Sequence, residues 1–217
     1  MKPVPWLRKK AQTFMARKLQ KLNKKKPEVP AIVERKGKTK HLIYTPYFKQ
    51  IVRKNPKIIE LFLEARKTKK DKMSRGNITI TMLKKGSYNL LWRVDIGKKS
   101  FYVKEKLIQI WKEETGPTEF LTARKLKPIL TPNSEIAKYH LGWKNQNANF
   151  LVTDFYELPS VSSHLTKIPK KLYNEFLEFK RAAKNELKIW DINEHNAFYD
   201  SKRGKIIVFD SMPPVQS

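Results

Sequence analysis

Cysteine is absent from these 217 residues. Disulfides and thiolate metal sites are thereby excluded, and a reducing, cytoplasmic setting is the expected one. Long apolar runs are also missing. None approaches the roughly 20 residues that a membrane-spanning helix requires. The basic residues at the N-terminus are not followed by an apolar core, so no secretory leader is expected. Histidine is rare, and His41, His140, His164 and His195 form no metal-type cluster. No internal repeat is present. Acidic residues are few: 20 Asp and Glu stand against 47 Lys and Arg, a formal net charge of +27.

That charge is unevenly spread. Residues 1–75 carry 24 basic and 5 acidic side chains, a net of +19, and residues 76–217 carry 23 and 15, a net of +8. The sequence therefore divides into a basic, largely helical extension, 1–75, and a compact domain, 76–217. An excess of this size attracts polyanions, so RNA, a ribosome or an anionic membrane surface is an expected partner of the extension. Within it, Pro5 can open a helix that aligns Leu7, Ala11, Phe14, Met15, Leu19 and Leu22 on one face, with lysines and arginines over much of the rest. Such a stripe either lies on a membrane or partner or packs on the protein itself. Asn55-Pro56 is an N-cap and N1 pair, predicting a helix to about Lys70.

From residue 77 the pattern changes to strands. Asn77–Met82 alternates, Leu90–Asp95 and Ser100–Lys104 follow, and turns fall at Lys84–Asn89 and Gly97. Gly116–Leu126 reads as a helix with Pro117 near its start. Two further apolar segments, Glu135–Trp143 and Asn149–Leu158, are separated by a polar turn. Leu172, Phe176, Leu177, Phe179, Ala183 and Leu187 then mark an amphipathic helix from about Pro169 to Leu187.

The most chemical stretch is Leu187–Ser211. It reads as a helix end, a polar loop and a hairpin of Ala197–Tyr199 with Lys205–Phe209, turned at Gly204. A hairpin brings its outer ends together, so Asn196 and Asp210 are expected to be close. A carboxylate and an amide oxygen converging on one point suit a hard divalent cation such as Mg²⁺, and Asp191 supplies a second carboxylate one loop away.

Asp191, four residues, Asn196, then a strand ending in Asp210 resembles the catalytic and metal loops of the protein-kinase-like superfamily. Upstream, three strands with a glycine turn, a lysine in the third strand, and a helix bearing a glutamate stand in the same order. The resemblance covers about residues 77–211 and implies an α+β, bilobal fold. An antiparallel β small lobe (76–157) would be joined to a truncated helical large lobe (158–217) holding the catalytic hairpin. It implies Asp191 as catalytic base, Asn196 and Asp210 as Mg²⁺ ligands, and Gly86 and Ser87 as donors to ATP phosphates. Lys104 would then steady the phosphates, and Glu119 would pair with it, with Glu113 and Glu114 as rivals. Asp154 to Tyr156 would present backbone groups to adenine.

The pattern departs from ordinary protein kinases in three places. The loop at Gly86 has one glycine, Ile189 stands where histidine is usual, and Ser211-Met212 follows Asp210. In these it is closer to the small RIO-like and lipopolysaccharide-kinase-like branches. Seven residues follow Asp210, so no activation segment or peptide platform is expected in them. The implied activity is ATP- and Mg²⁺-dependent phosphoryl transfer. The alternative is a kinase-like protein without turnover that binds RNA, a ribosome or another polyanion through residues 1–75.

Overall fold

The computed structural model describes residues 33–37, 40–85, 89–107, 115–145 and 149–209. Ile32–Ser217 form one compact unit, distinct from Met1–Ala31. The helix expected to start at Pro5 lies outside the described residues, as do Gly86, Ser87, Glu113, Glu114 and Asp210. No described helix is long and apolar enough to cross a membrane.

The unit is α+β. Its strands and helices in chain order are β1 (Val33–Gly37), β2 (Lys40–Tyr44), α1 (Pro46–Lys54), α2 (Lys57–Thr68), β3 (Lys72–Arg75), β4 (Ile78–Lys85), β5 (Asn89–Ile96) and β6 (Lys99–Lys106). There follow α3 (Gly116–Leu126), β7 (Ser134–Ile136), β8 (Tyr139–Asn145), β9 (Asn149–Asp154), α4 (Lys170–Leu187), β10 (Ala197–Asp200) and β11 (Lys205–Val208). Eight strands form one antiparallel sheet in the order β1-β2-β8-β9-β6-β5-β4-β3. A small second sheet joins the β10–β11 hairpin to β7, which runs parallel to β11.

This arrangement corrects the boundary drawn at residue 75. Residues 33–75 belong to the same unit as the later strands. They supply both edges of the large sheet, and α1 and α2 cover one of its faces. The physical reason lies in the period-2 pattern of the central strands, which are apolar on both faces. Ile78, Ile80, Val94, Ile96, Phe101 and Val103 all point to one side, where Ile51, Ile58, Leu61 and Ala65 of the helix pair bury them. Net charge gave no sign of this, because the cations of α1 and α2, Arg66 apart, are exposed on their outer faces. The cap at Asn55-Pro56 also differs from expectation. Asn55 closes the C-terminus of α1, donating its N–H and its side-chain amide to the Ile51 carbonyl, and α2 starts without a side-chain cap.

Two other cores complete the unit. Phe176, Phe179 and Ala183 of α4 pack on Ile192, Ala197, Tyr199, Ile206 and Val208. Alternation sends Ile207 the other way, into a cluster with Phe120 and Ala123 of α3 and Leu151 of β9. The hairpin is thus sandwiched between α4 and the α3 side of the large sheet, facing away from α1 and α2. α4 ends at Lys188, which adopts the left-handed conformation (φ 58°), while the Ile189 N–H closes back on the Ala183 carbonyl. That turn aims the chain at Asp191.

Candidate active site

The pleat of β6 decides what faces the cleft. Phe101, Val103 and Glu105 point toward α1 and α2, where Glu105 pairs with Arg66. Tyr102 and Lys104 point the opposite way and line a cavity of about 420 Å³. Lys104 and Glu119 are 8% and 1% exposed, and their charged atoms lie 3.5 Å apart. Lys106, one pleat further along the same face, approaches the same Glu119 oxygen more closely, at 3.2 Å. Two ammonium groups therefore share one buried carboxylate. Lys106 was not among the residues expected here, although the spacing Tyr102-x-Lys104-x-Lys106 carries the signal.

Glu119 is delivered by a close crossing of helix and sheet. The start of α3 lies directly on β8 and β9. A Cβ on Gly116 would stand 1.9 Å from the Phe150 carbonyl oxygen, and one on Gly142 would stand 2.6 Å from that of Gly116. Only glycine permits this approach at either position. The Gly116 N–H donates to the buried Asn149 side chain at 2.8 Å, and Thr115 caps the helix by accepting from the Thr118 N–H. Glu119 then falls in the first turn, facing inward.

The opposite wall comes from the loop before β10. Asn193 accepts from the His195 and Asn196 N–H groups at 2.9 and 3.2 Å and so builds the tight turn at Glu194–Asn196. Its own amide donates to the Asp191 carboxylate at 3.2 Å. The Asn196 side-chain amide donates to the Asp191 carbonyl at 2.9 Å, which leaves Oδ1 as its acceptor atom. Tyr173 and Lys180 of α4 hold Glu194 at 3.0 and 3.3 Å. Burial opposes ionisation of Glu194. Hydrogen bonds from its own backbone, Tyr173 and Lys180 outweigh that and keep its carboxyl below the usual range.

His195, Asn196, Phe198 and Phe209 line the same cavity as Lys104 and Glu119. The Phe209 N–H donates to the Asn196 carbonyl at 3.1 Å, so the chain just before Asp210 lies against Asn196. Asp191 is beside the cavity and does not line it. Among the described residues, no three His, Asp or Glu side chains gather into a metal cluster.

Asp154, Phe155 and Tyr156 form a third side of the cavity. Phe198 and Phe209 stack at 4.2 Å between centroids, and Tyr156 lies 6.1 Å from Phe198. The Tyr156 hydroxyl accepts from the Lys138 N–H, and burial pushes its pKa up to about 12. The Asp154 carboxylate bonds His140 Nε2 at 2.6 Å. His140, boxed by Tyr47, Phe48 and Phe101, is thus a positioning group for this segment. The Asp154 and Phe155 N–H groups are spent on Lys138 and Ser100 carbonyls, whereas the Tyr156 N–H has no partner among the described residues.

No family model matches this sequence, and no curated protein does. Among solved structures, the chain is similar to the kinase domain of maize sucrose-induced receptor kinase 1, determined bound to AMP-PNP. The TM-score is 0.35 and the identity 16%, over 63% of this chain and 53% of that one. The chain spans about half the length of the domain it matches.

Proposed function

We propose that this chain is a kinase-like phosphotransferase that binds ATP with Mg²⁺ in the cleft and transfers a phosphoryl group to a hydroxyl acceptor. The observation that carries this reading is the meeting, across one cavity, of the buried Lys104–Glu119 pair and the Asn196 side chain anchored on Asp191. The large sheet with α3 serves as the small lobe, and α4 with the hairpin serves as a short large lobe.

Each part has a role in this reading. The aromatic slot of Tyr156, Phe198 and Phe209 accommodates a planar base, with the Tyr156 N–H as donor to its edge. Lys104 contacts the phosphates, and Glu119, shared with Lys106, keeps its ammonium in place. Gly86 and Ser87 offer backbone N–H groups to the same phosphates. The donor set fits Mg²⁺ as an ion shared with phosphates. Asn196 Oδ1 is available, Asp210 follows the residue bonded to Asn196, and such an ion needs only one or two protein oxygens. When bound, the cation neutralises charge on the transferring group. Asp191 accepts the proton of the acceptor hydroxyl as its oxygen bonds to phosphorus and the bond to the departing ADP oxygen breaks.

The test is a thermal-shift titration with ATP, with and without Mg²⁺, on wild type, Lys104→Met and Asp210→Ala. The expected stabilisation requires Mg²⁺ and is lost in both variants. No shift at millimolar ATP, or an equal shift in Lys104→Met, would refute the reading. The net charge of +27 favours a second reading, a kinase-like protein that binds RNA or a ribosome through residues 1–75 without turnover. Salt-sensitive RNA binding retained in Asp191→Ala, with no ATP response in wild type, would select it.

A further inference from the structure

The face of the large sheet turned away from the cleft holds a second cavity, independent of the nucleotide reading. Between α1, α2 and the central strands lies a groove of about 280 Å³. Every residue lining it is apolar, including Phe48, Phe62, Phe101, Leu141, Trp143 and Phe150. Ile59 and Leu63, one turn apart on α2, also line it, yet they remain 54% and 53% exposed. Exposed aliphatic side chains beside an open apolar groove mark a binding surface.

The charge around this groove is one-sided. Val52 and Ile58, which line it, flank the corner where α1 meets α2, and the exposed Arg53, Lys54 and Lys57 stand on that corner. None of the three pairs with an acid among the described residues. The acids of α2, Glu60 and Glu64, are both engaged by Arg75. The chemistry narrows the occupant. An extended peptide would bring backbone polar groups that an all-apolar wall leaves unsatisfied. The volume lies just below the roughly 300–1,000 Å³ of pockets for drug-sized ligands. A narrow hydrocarbon with an anionic end satisfies both the wall and the corner.

We propose that this groove takes an acyl chain of an anionic membrane lipid, with the lipid phosphate against Arg53, Lys54 and Lys57, so that the α1–α2 face docks on an anionic bilayer. Apolar burial would supply affinity, and the cations would supply the preference for anionic headgroups.

The experiment is co-sedimentation of the full chain with vesicles of phosphatidylcholine alone or mixed with phosphatidylglycerol. Variants are Ile59→Asp/Leu63→Asp, Arg53→Glu/Lys54→Glu/Lys57→Glu and Phe14→Asp/Leu19→Asp, each first checked for an unchanged unfolding midpoint. Wild type is expected to pellet with the anionic vesicles only, and the first two variants to lose at least tenfold in partitioning. Vesicles with brominated acyl chains give a second readout that does not depend on those variants. They should quench tryptophan fluorescence, and Trp143→Phe should remove most of the quench. The proposal is overturned if wild type does not pellet with anionic vesicles. It is also overturned if Ile59→Asp/Leu63→Asp binds like wild type, if only Phe14→Asp/Leu19→Asp loses binding, or if quenching persists in Trp143→Phe. A wild type that dimerises without binding vesicles would instead assign the groove to a second copy.

Discussion

Replacing Gly142 by alanine tests how closely α3 must sit on the sheet. The new Cβ would stand 2.6 Å from the Gly116 carbonyl oxygen and 2.7 Å from the Gly116 carbon and the Pro117 nitrogen. All three are backbone atoms, so no side chain can swing aside. Ordinary contact begins near 3.4 Å, so helix and strand must part by about 0.8 Å. Gly116 cannot give way toward β9, because the Phe150 carbonyl already occupies the space where its own Cβ would lie. Overpacking of this kind costs about 1–3 kcal/mol, a large share of the roughly 5–15 kcal/mol that holds a domain folded. The same displacement carries Glu119 away from Lys104, a pair already at 3.5 Å. Urea unfolding followed by tryptophan fluorescence should show the loss, and any ATP-dependent thermal shift should weaken with it. Gly97→Ala is the control. Nothing lies within 4 Å of that position, whose φ is +58°, so it should cost about 1–2 kcal/mol from backbone strain alone and leave the site untouched. A Gly142→Ala protein within about 0.3 kcal/mol of wild type would refute the close-crossing argument.

Three other outcomes follow from the packing and the charges. Phe176→Ala, at a position with 0% exposure in the α4 core, should cost about 3–5 kcal/mol in urea unfolding; a cost under 1 kcal/mol would mean the core collapses around the gap. Arg66→Met deprives the buried Glu105 of its partner, and one Glu105 oxygen already lacks a hydrogen bond among the described residues. This single change should destabilise by about 3 kcal/mol, and Arg66→Met/Glu105→Leu should recover most of it; a double variant no better than the single would refute this account. Glu194 has a carboxyl held below its ordinary value of 4.5. Its contribution is present above that value and is lost as pH falls through the lower folded value. Stability measured from pH 6 to pH 3 should fall less steeply in Glu194→Gln than in wild type, and identical slopes would remove Glu194 from the account.

Much of the local structure was legible in the sequence. The helix at Gly116–Leu126, the strands at 78–85, 89–96 and 99–106, the long helix ending at Leu187 and the hairpin after Asn196 all follow from periodicity, caps and turn residues. Those signals act over a few neighbours, and backbone hydrogen bonding and side-chain rotamer preferences respond to that range. The order of Lys104, Glu119, Asp191 and Asn196 was readable only through the resemblance to the protein-kinase-like superfamily. Charge, by contrast, misled at residues 33–75. Lysines and arginines on the solvent faces of α1 and α2 say nothing about the apolar faces beneath them. The roles of Asn193, whose side chain builds the Asp191 loop, and of His140, bonded to Asp154, were not legible because their partners are defined by folded geometry.

The sequence by itself determined where most elements after residue 76 lie and which residues could carry charge into a cleft, since these are properties of short segments. Only the tertiary structure decided that Lys106 shares Glu119 with Lys104, that two glycines let α3 rest on β8 and β9, and that a wholly apolar groove opens on the far face of the sheet. Each of these depends on distances between segments far apart in the chain. Such distances are set by close packing of the whole core, which no local pattern encodes.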